Sequence, residues 1–380
     1  MVAGMRVAIV AESFLPQING VTNSVCRVAE HLTRRGHTGL VIAPGEGVSE
    51  YDGHQVRRVP SFALPGNDDS IVGISTRRRI SRILRDFEPD VVHLAAPVWL
   101  GKAGMNAATR LGLPTVAVYQ TDLAGFARGY RLWRTIGDDA IWSWMRRIHE
   151  QADLTLAPST ASLRQLAAHG FPRLARWGRG VDLVRFHPAH RDDELRRELA
   201  PNGEVIVGYV GRLAPEKHVA SLTALAGLPG VQLAIVGGGP SEQSLRAALP
   251  DAAFLGFRTG QALSKAYASL DVFVHTGPAE TFCQAVQEAL ASGVPVVAPN
   301  AGGPTDLVDH GWSGYLVDTG DGDQLRHAVG RIAADPVRRV RMAAAARESV
   351  YGRSWEAICD QLLEHYATAI ARKRLAAPAA

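Results

Sequence analysis

The chain has 380 residues, of which 46% are hydrophobic and 21% are charged, and this length suits about two soluble domains with sizeable cores. Its three cysteines, Cys26, Cys283 and Cys359, are far apart, which argues against a disulfide framework and a cysteine-based metal site. The sequence shows no signal peptide and no apolar run of transmembrane length, so we expect a cytoplasmic protein.

The charge is unevenly distributed between the two halves. Residues 1–185 hold 23 Lys and Arg against 16 Asp and Glu, a net charge of +7, and residues 186–380 hold 18 against 21, a net charge of −3. A basic first half indicates an anionic partner. Because no aromatic-basic nucleic-acid module is present, an anionic membrane surface is the favoured partner and nucleic acid is not.

The first half alternates short apolar runs with helical patterns, which is typical of a parallel α/β sheet. The run Met5–Ala11 predicts a buried strand, and the loop after it leads to a helix that begins at Gly20, a generic phosphate cradle without a G-x-G-x-x-G fingerprint. His93 is expected to be a core histidine. Further strands are predicted at Gly39–Ala43, Gln55–Val59, Asp90–Leu94, Thr115–Gln120 and Asp153–Ala157.

The end of the strand Thr115–Gln120 carries two candidate catalytic residues, because ligands bind beyond the carboxyl ends of parallel strands. Gln120 can donate a hydrogen bond to a ligand bound there. Asp122 is the nearest carboxylate able to accept a proton from a hydroxyl group. The alternative for Asp122 is that it caps a turn.

Residues 125–151 are rich in arginine and tryptophan, a combination that suits a lipid headgroup interface. Trp133, Trp142 and the arginines between 128 and 147 are the candidates. The alternative is that the helix buries an ordinary apolar stripe. The predicted helix at 75–87 can add to the same basic surface with Arg77, Arg78, Arg79, Arg82 and Arg85.

After a polar linker at His190–Gly203, a second series of strands and helices begins. Its first strand ends at Gly211, and the turn that follows carries Arg212 and Lys217, which could clamp a diphosphate or could be ordinary surface cations. Asp321 and Asp323 form a D-x-D pattern, but they open a predicted helix, so capping is the better explanation and no metal site is predicted.

The segment Glu280–Pro299 predicts a helix followed by a buried strand. Thr281 and Gln284 have the spacing of a capping box, so the helix should begin at about Phe282, and Gly293 should end it. Two carboxylates, Glu280 and Glu288, would then lean to one side about 12 Å apart, the span of a sugar nucleotide from hexose to ribose. Helix-start N–H groups between them would favour a diphosphate. The alternative is an ordinary surface helix with two solvated glutamates.

This segment resembles the donor-site motif of the retaining glycosyltransferases of family 4, which have the GT-B fold. The resemblance lies in Glu280 and Glu288 at a spacing of eight, in the phenylalanine after the first, and in E-A-x-A-x-G-x-P-V from the second. Gly211–Lys217 matches the G-R-x(4)-K of the same family. Within that family the chain is most similar to the GDP-mannose-dependent α-mannosyltransferases of actinobacteria.

The resemblance implies two Rossmann-like α/β domains with a cleft between them. Residues 1–188 would form the acceptor domain, to which a final helix at 354–374 crosses back, and residues 204–353 the nucleotide-sugar domain. Arg212 and Lys217 would stabilise the leaving diphosphate, Glu280 would hold sugar hydroxyls and Glu288 the ribose. Further donor contacts are implied at Asn19, Gly20, Gly211, Phe282, Cys283, Gln284 and, near the base, Arg258.

The chain departs from the family at Gln120, where many members have a histidine near the reacting sugar carbon. We therefore expect the departing phosphate, rather than Asp122, to take the acceptor proton. The resemblance implies metal-independent, retaining transfer of mannose from GDP-mannose to a glycolipid at the cytoplasmic face of the membrane. A UDP-sugar donor for glucosyl or sulfoquinovosyl transfer, a nucleotide-sugar 2-epimerase and a non-enzymatic sugar-nucleotide-binding module are the alternatives.

Overall fold

A computed structural model describes residues 4–64, 67–120 and 137–376. The chain forms two compact units. Unit 1 consists of Met1–Gly178 and Glu356–Ala380, and unit 2 is the continuous segment Arg179–Trp355. Chain contacts therefore place the boundary after Gly178, whereas the sequence places it at 188. The segment predicted as a linker, 190–203, lies in unit 2 and contains the helix α6, Asp193–Leu199.

Unit 1 is built on an eight-stranded sheet in the order β10-β9-β8-β7-β1-β2-β4-β3, in which only the β3–β4 pair is antiparallel. A separate hairpin joins β5 to β6. The strands are β1 Arg6–Ala11, β2 Thr38–Pro44, β3 Glu50–Tyr51, β4 His54–Val59, β5 Ser61–Leu64, β6 Asn67–Gly73, β7 Val91–Ala95, β8 Thr115–Val118, β9 Leu154–Ala157 and β10 Leu174–Arg176. The described helices are α1 Gly20–Arg34, α2 Arg77–Phe87, α3 Leu100–Arg110, α4 Asp138–His149 and α5 Thr160–Ala168, with α12 Trp355–Ala376 at the end of the chain.

The strands predicted in the first half are all present. Their central members are buried along nearly their whole length, since helices pack on parallel sheets from both sides. His93 is a core histidine as expected: its Nδ1 lies 2.6 Å from the hydroxyl of Tyr366, and burial lowers its pKa to about 3.

The predicted final helix is also present, as α12, and nearly all of it belongs to unit 1. Tyr366 is its buried contact with β7. Asp360 accepts from His31 of α1 at 2.8 Å, and the carbonyl of Ile358 accepts from the indole N–H of Trp177 at 2.8 Å. These contacts attach the end of the chain to its first 178 residues.

Unit 2 contains a six-stranded, wholly parallel sheet in the order β13-β12-β11-β14-β15-β16. The strands are β11 Val205–Val210, β12 Val231–Val236, β13 Ala253–Gly256, β14 Val272–Val274, β15 Val296–Pro299 and β16 Gly314–Val317. The further helices are α7 Glu242–Ala248, α8 Gly260–Ala268, α9 Gln284–Ala291, α10 Gly322–Ala333 and α11 Pro336–Glu348. The strand order reverses between β11 and β14, so the topological switch point of this sheet lies between those two strands.

The predicted capping box is wrong. Helix α9 begins at Gln284, and its N-cap is Cys283 in a left-handed conformation (φ 75°), so Thr281 does not cap it. The end of the helix agrees with the sequence, because Gly293 follows it with a positive φ. In the described residues no helix is long and apolar enough to span a membrane.

Candidate functional site

The loop after β11 is held by close backbone contacts. The N–H of Gly211 donates to the carbonyl of Val236 at 3.0 Å, and the N–H of Leu213 donates to the carbonyl of Gly238 at 3.0 Å. A Cβ at Gly237 would overlap the Gly211 carbonyl, so this approach of two backbones requires glycine. The loop ends in a 3₁₀ turn at Pro215–Lys217.

Lys217 reaches the carboxylate of Glu280, which follows β14. Its Nζ lies 2.6 Å from Oε1 of Glu280, and the carbonyl of Lys217 accepts a 2.7 Å hydrogen bond from Thr276. Nε2 of the buried His275 lies 3.4 Å from the same Oε1, within ion-pair distance but without hydrogen-bond geometry. The loops after β11 and β14 thus meet at the switch point of the sheet, where ligands of doubly wound folds bind.

These contacts shift the pKa values of Glu280 and His275. Burial alone would raise the pKa of Glu280, but His275 and Lys217 outweigh burial and hold it at about 2. Burial lowers the pKa of His275, but the sulfur of Cys283 and the carboxylate of Glu280 raise it to about 10. At neutral pH Glu280 is therefore ionised and is surrounded by cations.

A glycine turn fixes the backbone around Glu280. The N–H of Gly303 donates to the carbonyl of Glu280 at 2.8 Å, and Gly302 has a φ of 60°. A Cβ at Gly303 would overlap the backbone of Phe282. Phe282 and Cys283, which follow Glu280, are both buried.

Glu288 lies on α9, eight residues after Glu280, in a different environment. Burial raises the pKa of Glu288 to about 7, and Tyr267, Arg185 and Gln284 offset only part of this effect. The two carboxylates of the predicted motif therefore differ in charge at neutral pH. Glu280 is fully ionised, whereas Glu288 is poised to release a proton.

Arg179, at the start of unit 2, lies close enough to Glu280 to interact with it electrostatically. Burial lowers the pKa of Arg179 to about 10, and the carboxylate of Glu280 offsets only part of that effect. Two glutamine side chains of α9 hold the backbone beside it: Gln287 donates to the carbonyl of Arg179 at 2.8 Å and Gln284 to that of Gly180 at 3.1 Å.

Two predicted donor residues of unit 2, Arg212 and Arg258, have partners other than Glu280. Arg212 is exposed and pairs with Glu216 at 3.2 Å rather than with Glu280. Arg258 is exposed and donates to the carbonyl of Leu255 at 2.9 Å. Both guanidinium groups are on the surface, where they are open to an anionic ligand.

In unit 1, Asn19 is the N-cap of α1. Its Oδ1 accepts from the N–H groups of Val21 and Thr22, each at 3.0 Å, and Gly20 is the first helical residue, as predicted. Gln120 is buried just after β8. Asp122 lies outside the described residues, so its role stays a prediction.

The membrane prediction for the tryptophan-rich segment needs one correction. Trp142 is 6% exposed and stacks on His169 with ring centroids 3.9 Å apart, so it is a core residue. Ile141, Met145 and Ile148 form the buried stripe that was the alternative. Trp133 and Arg128, Arg131 and Arg134 lie outside the described residues. Helix α2, by contrast, exposes all five of its arginines.

Two candidate metal sites can be assessed. Asp321 caps α10 by accepting from the N–H of Gln324 at 2.8 Å, as the sequence predicts. Elsewhere, ligand atoms of His275, Glu280 and Cys283 lie within 4.8 Å of one another. Lys217 already contacts Glu280 there, so a second cation would meet repulsion. The chemistry of this cluster favours an anion.

Sequence reasoning missed His275 and Arg179. His275 follows directly on β14, and the rule that ligands sit beyond carboxyl ends of strands could have found it. No sequence pattern pointed to Arg179, because it precedes Glu280 by 101 residues and comes near it only in the folded chain.

Comparisons with known proteins show the family to which the chain belongs. Residues 18–185 match the model described as Glycosyltransferase Family 4, and residues 190–349 match that of Glycosyl transferases group 1. The chain is 55% identical to a GDP-mannose-dependent alpha-mannosyltransferase of Mycobacterium tuberculosis, with 96% of each chain covered. It is 52% identical to a protein of the same name from Mycolicibacterium smegmatis, covering 98% of this chain and 100% of that one.

Among solved structures, the Anabaena protein Alr3699/HepE in complex with UDP superimposes with a TM-score of 0.78 at 21% identity, over 96% of this chain and 100% of that one. The protein is thus a glycosyltransferase with the GT-B fold. It belongs to glycosyltransferase family 4, in the group that contains the actinobacterial mannosyltransferases.

Proposed function

We propose that this enzyme transfers mannose from GDP-mannose, with retention of configuration, to a glycolipid acceptor at the cytoplasmic face of the membrane. The observation that carries the proposal is the cationic cluster around Glu280 at the switch point of the unit 2 sheet. It combines a carboxylate for sugar hydroxyls with cations for a diphosphate. The names of the mycobacterial relatives support mannose and guanine as the donor's sugar and base.

The reaction breaks the bond between the anomeric carbon of mannose and the β-phosphate oxygen. A new bond forms between that carbon and the acceptor oxygen, and the acceptor proton passes to the departing phosphate. Lys217 and Arg212 stabilise the negative charge that develops on the phosphate, an effect that grows toward the transition state. No metal ion is needed for this role, because the two side chains supply the positive charge.

Residues around the cluster make the remaining contacts with the donor and the acceptor. Glu280 accepts hydrogen bonds from sugar hydroxyls, while backbone groups of Gly211, Phe282, Cys283 and Gln284 complete the donor site. Glu288 accepts from the ribose, and the turn at Arg258 lies beside the base. In unit 1, Asn19 and Gly20 contact the phosphates, and Gln120 donates to the sugar. Asp122 positions the acceptor hydroxyl.

The basic face of helix α2 supports the proposal of a lipid acceptor. Its apolar residues Ile80 and Leu84 are buried, and the opposite face exposes arginines beside a groove of about 1170 Å³. Arg57, Arg78 and Arg82 line this groove. An exposed basic face of this kind attracts anionic lipid headgroups.

The proposal is tested by a donor panel in the presence of EDTA. GDP-mannose should raise the melting temperature more than UDP-glucose or UDP-sulfoquinovose, because only bound ligand stabilises the folded state. With membrane glycolipid extract it should yield GDP and an α-mannosylated lipid. A larger shift with a UDP-sugar would transfer the assignment to that donor, and activity that EDTA abolishes and Mg²⁺ restores would contradict metal independence.

The same experiment separates the alternatives. An epimerase would release nucleotide from the donor without any acceptor. A binding module would bind GDP-mannose and give neither GDP nor product. Either outcome would contradict transfer.

A further inference from the structure

Two tryptophans form a pair at the surface of unit 1. The rings of Trp99 and Trp144 have centroids 5.7 Å apart and an interplanar angle of 50°. Trp144 is half-buried and packs against the hydrophobic core of unit 1, whereas Trp99 is 45% exposed. The pair thus joins the core to the surface, because one ring packs on buried side chains and the other keeps almost half of its area exposed.

A cation lies beside the tryptophan pair. The ammonium group of Lys102, an exposed residue of α3, lies over the face of the Trp144 ring, 6.0 Å from its centroid. Helix α3 contains no acidic residue, so no carboxylate of the same helix competes for this charge. Tryptophan and lysine together are typical of surfaces that meet the boundary between lipid headgroups and acyl chains.

The turn that carries Trp99 is held in place by a carboxylate. Glu12, directly after β1, accepts hydrogen bonds from the N–H groups of Val98 and Gly101 at 2.8 Å and from that of Leu100 at 3.1 Å. These backbone groups lie on both sides of Trp99. Little backbone entropy is therefore lost when Trp99 enters an apolar environment, so more of the gain from burying its ring contributes to binding.

An exposed isoleucine connects this turn to the basic face of α2. Gly73 packs against the side chain of Leu100, the residue after Trp99, since a Cβ on Gly73 would come within 3.3 Å of it. Ile74 is 56% exposed and precedes the first exposed arginine of α2 by three positions. Helices α2 and α3 also pack against each other. The exposed apolar residues and the arginines thus belong to adjoining elements.

The tryptophan pair belongs to the edge of the sheet where ligands bind. Strands β1, β7 and β8 are parallel neighbours. Glu12, Trp99 and Gln120 follow these strands, so they share the carboxyl edge of the unit 1 sheet. Gln120 is proposed to contact the transferred sugar. A lipid whose headgroup is bound at this edge would have its apolar part on the side of the tryptophan pair.

We propose that this surface binds the boundary between the headgroups and the acyl chains of the membrane that carries the acceptor. We call it the tryptophan surface, and its members are Ile74, Trp99, Lys102 and Trp144. This inference rests on the proposed function, because it takes the acceptor to be a lipid. The arginines of α2 would attract anionic headgroups, and the tryptophan surface would contact the acyl chains. A protein partner is less suited to it, since protein interfaces are depleted of lysine.

The experiment measures flotation with vesicles of equal parts phosphatidylcholine and phosphatidylglycerol. Trp99→Ala should weaken binding about 10- to 50-fold, because a half-exposed tryptophan can remove on the order of 100 Å² of apolar surface from water. Trp99→Phe keeps an aromatic ring and should weaken binding less. Trp312→Ala is the matched control, since it removes a tryptophan that is 55% exposed in unit 2, and it should bind like the wild type.

A second measurement reports contact with the acyl chains directly. Vesicles in which the phosphatidylcholine is brominated on its acyl chains should quench the tryptophan emission of the wild type. Trp99→Phe should lose a measurable part of this quenching, and Trp312→Phe should lose none of it. Added salt should weaken the binding of every variant but leave the ratio between the wild type and Trp99→Ala unchanged, because apolar burial is not screened.

Three results would overturn the proposal. The first is a wild type that does not bind these vesicles, and the second is binding and quenching that stay unchanged in both Trp99 variants. The third is a concentration-dependent dimer, seen by sedimentation, that Trp99→Ala dissociates, because the surface would then bind a second copy of this chain. Melting temperatures show whether each variant is folded, and Trp99→Phe keeps the test decisive if Trp99→Ala unfolds.

The donor panel tests the proposed function separately, because flotation needs no donor. If GDP-mannose stabilises the wild type and vesicle binding does not depend on Trp99, only this inference is contradicted. If vesicle binding depends on Trp99 and no nucleotide sugar stabilises the wild type, only the proposed function is contradicted.

Discussion

Glu280 and Glu288 belong to one motif but have opposite pKa shifts, and the difference comes from their neighbours. Glu280 has cations within 4 Å, whereas the partners of Glu288 are largely neutral. Opposite charge favours ionisation, and burial without it favours the neutral acid. The spacing of two glutamates in a sequence contains no such information.

Lys217 and Arg212 are the two residues of the proposed diphosphate clamp. We expect Lys217→Ala and Arg212→Ala each to lower the transfer rate about a hundredfold or more, because each removes a charge that stabilises the leaving diphosphate. Steady-state kinetics with saturating donor would measure the effect on kcat.

Lys265→Ala is the control for charge loss in the same unit, since Lys265 pairs with Asp192 at 2.8 Å and not with Glu280. It should retain wild-type turnover. Near-normal kcat in Lys217→Ala would remove Lys217 from the mechanism.

If Glu288 binds the ribose as proposed, its raised pKa should make donor binding pH-dependent. The ribose hydroxyls donate hydrogen bonds, so they should bind the ionised carboxylate, which is lost as pH falls through about 7. Between pH 8 and pH 6 the affinity for GDP-mannose should fall about tenfold, which corresponds to the fall in the ionised fraction of an acid of that pKa. Calorimetric titrations at several pH values would measure this.

Glu288→Gln should give a flat profile over the same range, because its amide does not titrate. GDP-mannose is the suitable ligand, since its diphosphate does not titrate there. An equally steep profile in Glu288→Gln would assign the pH dependence to another group.

Among the helices and strands, helix α2 has an exposed basic face whose five arginines all lie in the described residues. We expect the double change Arg78→Gln and Arg82→Gln to weaken binding to vesicles that contain phosphatidylglycerol about thirtyfold, since each basic residue near an anionic surface contributes about 1 kcal/mol. Flotation with vesicles at low and moderate salt would measure the change, which salt should diminish.

Arg197→Gln with Arg341→Gln removes the same charge from exposed positions of unit 2. This control should bind vesicles like the wild type. Equal loss in both variants would indicate net charge rather than a defined surface, and binding to neutral vesicles would contradict the electrostatic account.

The sequence predicted the elements well where local pattern decides them. Buried parallel strands are continuous apolar runs, so β1, β2 and β7 were recognisable without any partner. The start of α9 could not be recognised from the sequence, although Thr281 and Gln284 have capping-box spacing. A long-range hydrogen bond from Gly303 fixes the turn instead, and Cys283 becomes the N-cap.

Trp142 shows that local pattern also fails to predict the distant neighbours of a side chain. An Arg- and Trp-rich helix suits a membrane surface, but the partner of Trp142 is His169, which is supplied by a later helix end. In the site, the pattern gave Lys217, Glu280 and Glu288. The cation Arg179 and the buried His275 were missed, because their relation to Glu280 is a matter of packing.

At the scale of the whole molecule, the charge asymmetry follows the division into units only in part. The basic first half lies mainly in unit 1, and the conspicuous basic surface within it is α2 with its neighbouring groove. In unit 2 the net charge is lower, yet the site around Glu280 is locally cationic. Net charge alone therefore predicts a partner for unit 1 but does not reveal the proposed donor site in unit 2.

Unit 2 is a continuous stretch of chain whose two ends meet: Val181 near its start pairs with Ser354 near its end. In the language of protein engineering it is a cassette, inserted between Gly178 and Glu356 of a host that supplies both termini. Such an insert can be exchanged without lengthening the host's connections. If unit 2 holds the donor and unit 1 the acceptor, as the resemblance implies, replacing residues 179–355 with the corresponding segment of a relative that uses another nucleotide sugar should give a transferase with a new donor and the original acceptor.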